Sequence, residues 1–225
     1  MIQGFRHEYK YLISRSAAEL LKHRLPCIME RDRHAGPTGQ YTIRSLYFDN
    51  YSHSTLDEKQ DGINYRAKFR IRYYNYRPDI LKLEKKEKMG NLTRKTARSI
   101  TLEDALAMED ARIPLSDTLD PLIRELSCRM REGLRPQVLV DYDRTPFICR
   151  DGNTRITLDE NLRTVPYCTQ LLGTHQSMIP VLEPDQVILE VKFDDFLPGY
   201  LDAALSDIPK AAMAISKFAL CMNLK

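Results

Sequence analysis

The sequence predicts an α+β fold: an antiparallel β-barrel closed on itself, with a basic tunnel inside and helices outside. Three observations predict it. Strand candidates with period-two alternation dominate the chain. Their polar faces use Lys, Arg and Glu, with little Thr, Ser or Gln. Their opposite faces are apolar and need helices to cover them, and several helix candidates are present. A sheet with one charged face can close with its charges inside, and closure also removes open edges.

The elements follow in order. FRHEYKYLI, residues 5–13, reads as a strand with Arg6, Glu8 and Lys10 on one face and Phe5, Tyr9 and Tyr11 on the other. Ser14 or Ser16 caps a helix over AAELLKHRL, which Pro26 ends. After a Gly- and Pro-containing loop, YTIRSLYF (41–48) is a strand by its β-branched and aromatic content. Arg44 faces away from Ile43 in it. A short helix with turns follows around STLDEKQ.

Residues 64–74 and 79–88 are two alternating strands, and their short connection makes them antiparallel neighbours. In the first, Arg66, Lys68, Arg70 and Arg72 share one face, against Ala67, Phe69, Ile71 and Tyr73. In the second, Lys82, Glu84, Lys86 and Lys88 share a face, against Leu81 and Leu83. A strand is expected around 92–99. Thr101 caps TLEDALAMED, and Asp120-Pro121 opens PLIRELSCRMREG with proline at the first helical position. Strands are expected at 136–145, at 147–150 and 154–159 as a hairpin across DGN, at 163–167 and at 186–193. Pro209 opens a last helix, PKAAMAISKFALCMNL.

With 225 residues, 43 % of them apolar, the chain can form one domain spanning 1–225 with a sizeable core. The net charge of +3 excludes a generally basic nucleic-acid binder, so the clustered cations are a local matter. The five cysteines are scattered and form no CxxC, which argues for free thiols. The N-terminus lacks the apolar core of a signal peptide and no apolar run has bilayer length. The expected location is the cytoplasm, and any membrane link would need a separate membrane-protein partner.

The blander account of each charged face is a half-buried strand with a wetted side. Against it stands the clustering: seven of the eight named positions in 66–72 and 82–88 are Lys or Arg. Like charges on neighbouring strands repel, and cations enclosed together call for an anion of high charge density. Phosphates fit, and a row of them fits better than one. Arg contacts phosphate bidentately, and Lys acts as a point charge. Glu8, Glu84 and Glu190 then lie among cations, where each either pairs with a lysine or holds Mg²⁺ or Mn²⁺ together with substrate phosphate. Arg44, Lys68 and Lys192 join the candidates for phosphate binding from the same faces.

The ordered set EYKYLI, IRSLYFDN, KFRIRYY, LKLEKKEK, VDYDRTPF, RITLDENLR, LEVKF and SKFALC resembles the VTC domain over residues 5–222. That is the polyphosphate-polymerase domain of the vacuolar transporter chaperone family, within the triphosphate tunnel metalloenzymes. The resemblance implies transfer of the terminal phosphate of ATP to polyphosphate with a divalent metal, Mn²⁺ or Mg²⁺. By position it assigns Lys10, Arg70, Arg72, Lys86 and Lys217 to the reacting phosphates. It makes Lys95, Arg144 and Arg155 further phosphate ligands and Glu190 the metal ligand. Two positions depart from the pattern. Arg6 stands where hydrolytic relatives carry a first Glu, which favours the polymerase branch, and Ala214 stands where a second basic residue is expected. A tripolyphosphate hydrolase and a non-catalytic polyphosphate- or nucleotide-binding module are the alternatives. A nucleic-acid reader using Tyr73, Tyr74 and Tyr76 is the weakest, since Tyr73 falls on the apolar face. The aspartates Asp141 and Asp143 read as a rim or turn feature, and no histidine has metal-ligand spacing.

Overall fold

A computed structural model describes residues 5–90, 92–114, 120–166, 169–173, 177–209 and 211–224. The strands are β1 (Arg6–Ser14), β2 (Glu30–Arg31), β3 (Tyr41–Asp49), β4 (Tyr65–Tyr74), β5 (Arg77–Met89), β6 (Leu92–Ile100), β7 (Arg135–Cys149), β8 (Thr154–Val165), β9 (Ile179–Pro180) and β10 (Gln186–Phe193). The helices are α1 (Arg15–Arg24), α2 (Ser54–Gln60), α3 (Leu102–Glu109), α4 (Pro121–Arg131), α5 (Gly199–Ala204) and α6 (Lys217–Met222).

The strands run β7-β3-β4-β5-β6-β1-β10-β8, and β8 pairs back onto β7, closing a ring. All the pairings are antiparallel, and β2 and β9 are short additions beside β7 and β8. Asn75 and Tyr76, between β4 and β5, both take left-handed backbone, as a two-residue hairpin turn requires. The β1–β6 seam is the thinnest, holding at Arg6↔Thr93 and His7↔Leu92. On its other edge β1 pairs with β10 from His7 to Ser14.

Alternation decides which face is covered. Outward Leu46, Phe48, Phe69, Ile71, Tyr73, Leu81 and Leu83 pack under α3 and α4. Outward Phe147, Ile156, Leu158, Val187, Leu189 and Val191 pack under α1 and α5. Each such side chain contributes about 1.5–3 kcal/mol on burial, so the helices are what make an inward charged face affordable. A third cluster joins inward-facing Ile43, Tyr47, Val140, Tyr142 and Ile188 to Phe218, Cys221 and Met222 of α6, which packs inside the ring.

The caps are as expected for three helices. Ser14 accepts from Ala17 N–H, Thr101 from Asp104 N–H, and Asp120 from the N–H groups of Leu122 and Ile123. Two expectations need correction. The expected strands 136–145 and 147–150 join into one, β7, which ends at Cys149, and 154–159 and 163–167 join into β8, which ends at Val165, with residue 167 outside the described residues. Pro146 is tolerated because its position falls between the last residue paired with β3 and the first paired with β2. The C-terminal helix does not start at Pro209: α6 covers only Lys217–Met222. Residues 211–216 are non-helical instead: Met213 N–H donates to the Lys10 carbonyl at 2.8 Å, and Ile215 N–H to the Met213 carbonyl at 2.9 Å. Ser216 then caps α6 through Ala219 N–H. Among the described residues, no helix is long and apolar enough to cross a membrane.

Candidate functional site

The ring encloses a cavity of about 420 Å³. Among the described residues its lining holds fourteen Lys and Arg side chains and two carboxylates, Glu8 and Glu190, so the cavity is built for an anion. Lys10, Lys68, Arg70, Arg72, Lys86, Lys95, Arg144, Arg155, Lys192 and Lys217 all lie in that lining. The sequence brings them there by register. Lys10 stands opposite Glu190, Lys192 opposite Glu8, Lys86 opposite both Lys68 and Lys95, and Arg70 opposite Glu84.

Like charges face each other at Lys68–Lys86, which costs free energy unless a third strand supplies a counterion. Glu8 of β1 does so: Lys86 Nζ lies 2.5 and 2.7 Å from its two oxygens. Lys10 bridges Glu8 at 3.3 Å and Glu190 at 3.2 Å, and Lys192 bridges the same pair at 3.5 and 2.7 Å. Burial opposes charge on Glu8, but Lys86, Lys192 and Lys10 together outweigh it and hold the carboxyl well below its ordinary range. Burial likewise opposes charge on Glu190, and Lys192, Lys10, Lys217 and Arg144 hold it well below. Burial lowers Lys86 to about 7 against the attraction of Glu8, and lowers Lys95 to about 8 against that of Glu84.

Two further carboxylates lie beneath the lining. Glu84 is wholly buried and receives Arg70 at 2.8 Å (Nε) and 2.7 Å (Nη2), Lys95 at 3.0 Å and Arg72 at 3.6 Å. Asp159, also wholly buried, takes Arg144 in a bidentate pair at 2.6 and 2.7 Å and Lys217 at 2.5 Å. Arg144 continues to Glu190 at 3.3 Å, so β7, β8, β10 and α6 share one charge network.

Two site assignments change. Arg44 does not reach the cavity. On β3 the inward positions are Tyr41, Ile43 and Tyr47, and Arg44 points outward to Asp141, its register partner on β7, with Nε–oxygen distances of 2.9 and 3.1 Å. It also donates to the carbonyls of Leu171 and Gly173. Glu84 does not join Glu8 and Glu190 as a metal ligand set. Among the described residues no three His, Cys, Asp or Glu side chains form a metal-holding group, and three cations engage Glu84. Asp141 and Asp143 both serve outward contacts, to Arg44 and to Arg163 and Thr42. Glu8 and Glu190 do fit Mg²⁺ or Mn²⁺. Both are ionised and line the cavity, and hard divalent ions take one or two carboxylates with substrate phosphates completing the shell.

Sequence reasoning passed over several lining groups. Tyr47 and Tyr142 were given no role, yet their hydroxyls accept from Arg70 at 2.5 Å and Arg72 at 3.1 Å. Arg94 lines the cavity from β6, and residues 213–216 line it because Lys10 holds Met213 and Ile215 there, through its carbonyl and its Nζ. Period-two counting could have flagged Tyr47 and Tyr142. The placement of 213–216 left no local signal.

Known structures share this architecture at low identity. HpAC1, a candidate adenylyl cyclase from Hippeastrum with a dominant triphosphatase activity, is 15 % identical with a TM-score of 0.61, over 98 % of this chain and 96 % of that one. The PH1012 protein of Pyrococcus horikoshii OT3 is 12 % identical with a TM-score of 0.53, over 96 % and 98 %. A candidate adenylate cyclase from Bacillus halodurans is 17 % identical with a TM-score of 0.51, over 91 % and 89 %. No curated protein matches the chain. The model of the VTC domain, in contrast, matches residues 5–224, and with its ring of inward-facing cations this chain belongs to the VTC domain family.

Proposed function

We propose that the protein is a metal-dependent polyphosphate polymerase, moving the terminal phosphate of ATP onto a polyphosphate chain held in the cavity. The observation that carries this reading is the lining itself: among the described residues, fourteen cations and two carboxylates face one cavity. Lys10, Arg70, Arg72, Lys86 and Lys217 would surround the reacting phosphates. Lys68, Lys95, Arg144, Arg155 and Lys192 would hold the rest of the chain. Glu8 and Glu190 would hold the Mg²⁺ or Mn²⁺ ion, which when bound neutralises charge developing on the phosphoryl oxygens.

In the transfer, a terminal oxygen of the chain forms a bond to the γ-phosphorus of ATP. The bond from that phosphorus to the β–γ bridging oxygen breaks, and ADP leaves. The attacking oxygen is already anionic, so the protein need only align the partners and offset their repulsion. Hydrolysis is the second reading, favoured by the triphosphatase activity of the Hippeastrum protein of the same fold. It needs a carboxylate able to take a proton from water. Glu8 and Glu190 are held well below their ordinary range by surrounding lysines and are weak bases, which supports transfer over hydrolysis.

The test supplies γ-labelled ATP with Mn²⁺, and tripolyphosphate in a parallel reaction. Labelled acid-insoluble chains support the polymerase. Orthophosphate release without chain growth supports the hydrolase. Tight tripolyphosphate binding indifferent to chelator, with no turnover, makes the protein a binding module. No binding and no turnover overturns the phosphate reading.

A further inference from the structure

Most of the cavity's polar groups are charged, but neutral hydroxyls also line it, and two of these, Tyr47 and Tyr142, accept from the paired arginines Arg70 and Arg72. Tyr47 sits on the inner face of β3 and lines the cavity while only 6 % exposed. Its ring is fixed between Phe218, 5.4 Å away, and the Arg70 guanidinium, 5.5 Å from the ring centre. Its oxygen accepts a hydrogen bond from Arg70 Nη1 at 2.5 Å. A phenol also has one hydrogen to donate. Among the described residues no group accepts it. Arg70 and nearby Lys10 are donors only, and with the oxygen turned to Arg70 the hydrogen is left to the cavity. Tyr142 on β7 repeats the arrangement: its oxygen accepts from Arg72 Nη2 at 3.1 Å, and its ring lies under Arg144 and Lys217.

We propose that the Tyr47 hydroxyl is a direct hydrogen-bond donor to a phosphate oxygen of the bound chain, with Tyr142 acting likewise beside Arg72. The inference rests on the phosphate reading of the cavity. Arg70 polarises the hydroxyl by donating to it, and the hydroxyl passes that hydrogen-bonding strength to the anion. A donor of this kind adds affinity without adding to the repulsion among crowded cations.

The test is a double-mutant cycle read by calorimetric titration with tripolyphosphate in the absence of metal. Tyr47→Phe keeps the ring and its packing on Phe218. Expected is a loss of about threefold to tenfold in affinity in the wild-type background, the value of one neutral hydrogen bond. A smaller but still measurable loss is expected when Tyr47→Phe is added to Arg70→Ala, because the hydroxyl then donates without the polarisation by Arg70. If Tyr47→Phe is silent in the Arg70→Ala background, Tyr47 serves only to position Arg70 and the inference falls. Where Arg70→Ala does not fold, Arg70→Lys, which lacks the second guanidinium arm, takes its place in the cycle. Wild-type binding with Tyr47→Phe equally tight overturns this inference alone. Absence of wild-type binding overturns it together with the phosphate reading.

Discussion

Glu84 receives Arg70 through two nitrogens, at 2.8 and 2.7 Å, from a position with no exposed surface. It is thus the counterion that lets Arg70, Arg72 and Lys95 stand together. Removing one member of a buried ion pair costs about 3 kcal/mol or more. Glu84→Gln is expected to lower stability by that order in urea unfolding while leaving the Mn²⁺ dependence of turnover in place. A large shift in Mn²⁺ dependence would return Glu84 to the metal site.

Glu190 and Glu8 make the opposite prediction. Glu190→Gln is expected to move the Mn²⁺ dependence of chain growth upward by about tenfold to a hundredfold. Metal-free affinity for tripolyphosphate stays level or tightens, because one negative charge leaves an anion site. Calorimetry with and without chelator separates the two effects, and a joint loss of both would contradict the assignment.

Asp159 governs the acid limb. Burial raises its pKa, but Arg144 and Lys217 outweigh burial and hold it below the ordinary value. Glu8, Glu84 and Glu190 are displaced the same way. A group depressed in the folded state adds stability above its unfolded pKa, about 3.9 for Asp and 4.3 for Glu. That stability is lost as pH falls through and below those values. Urea midpoints measured from pH 6 to pH 2.5 are expected to drop steeply below about pH 4. Asp159→Asn is expected to start about 3 kcal/mol less stable at pH 7 and fall less steeply.

Lys86 controls ligand affinity near neutrality. With its pKa lowered to about 7, it loses its proton in the empty cavity as pH rises past that value. Lys95 follows near 8. A bound polyanion restores both charges, so binding at pH 8 takes up protons and affinity falls between pH 7 and 9. Titrations in buffers of different ionisation enthalpy count the protons. Lys86→Arg, whose charge is permanent, is expected to reduce both the uptake and the slope.

The charged rows of β4, β5, β1 and β10 were legible because period two separates their faces without tertiary information. The same rule misplaced Arg44. Charge marks the inner face only where no counterion waits outside, and Asp141 on the adjacent strand waits there. The union of residues 136–150 was hidden by Pro146, whose tolerance depends on where two different partner strands end and begin. The Ala-rich run 211–214 reads as helix by propensity, but pairing with β1 at Lys10 overrides it. The hold of Asp159 on Arg144 and Lys217 joins the β7–β8 hairpin to α6 and left no local signal.

The ring's thin seam bears on how the molecule is made. β1 leaves the ribosome ahead of β10, and its long edge has no partner until the residues that pair with it, up to Phe193, have followed. A bare strand edge is a template for a neighbouring nascent chain. Arg6, Glu8 and Lys10 project from one side of that strand, and an approaching copy would have to bury them without an anion. The charges that gather phosphate in the finished protein thus discourage unfinished copies from sticking together.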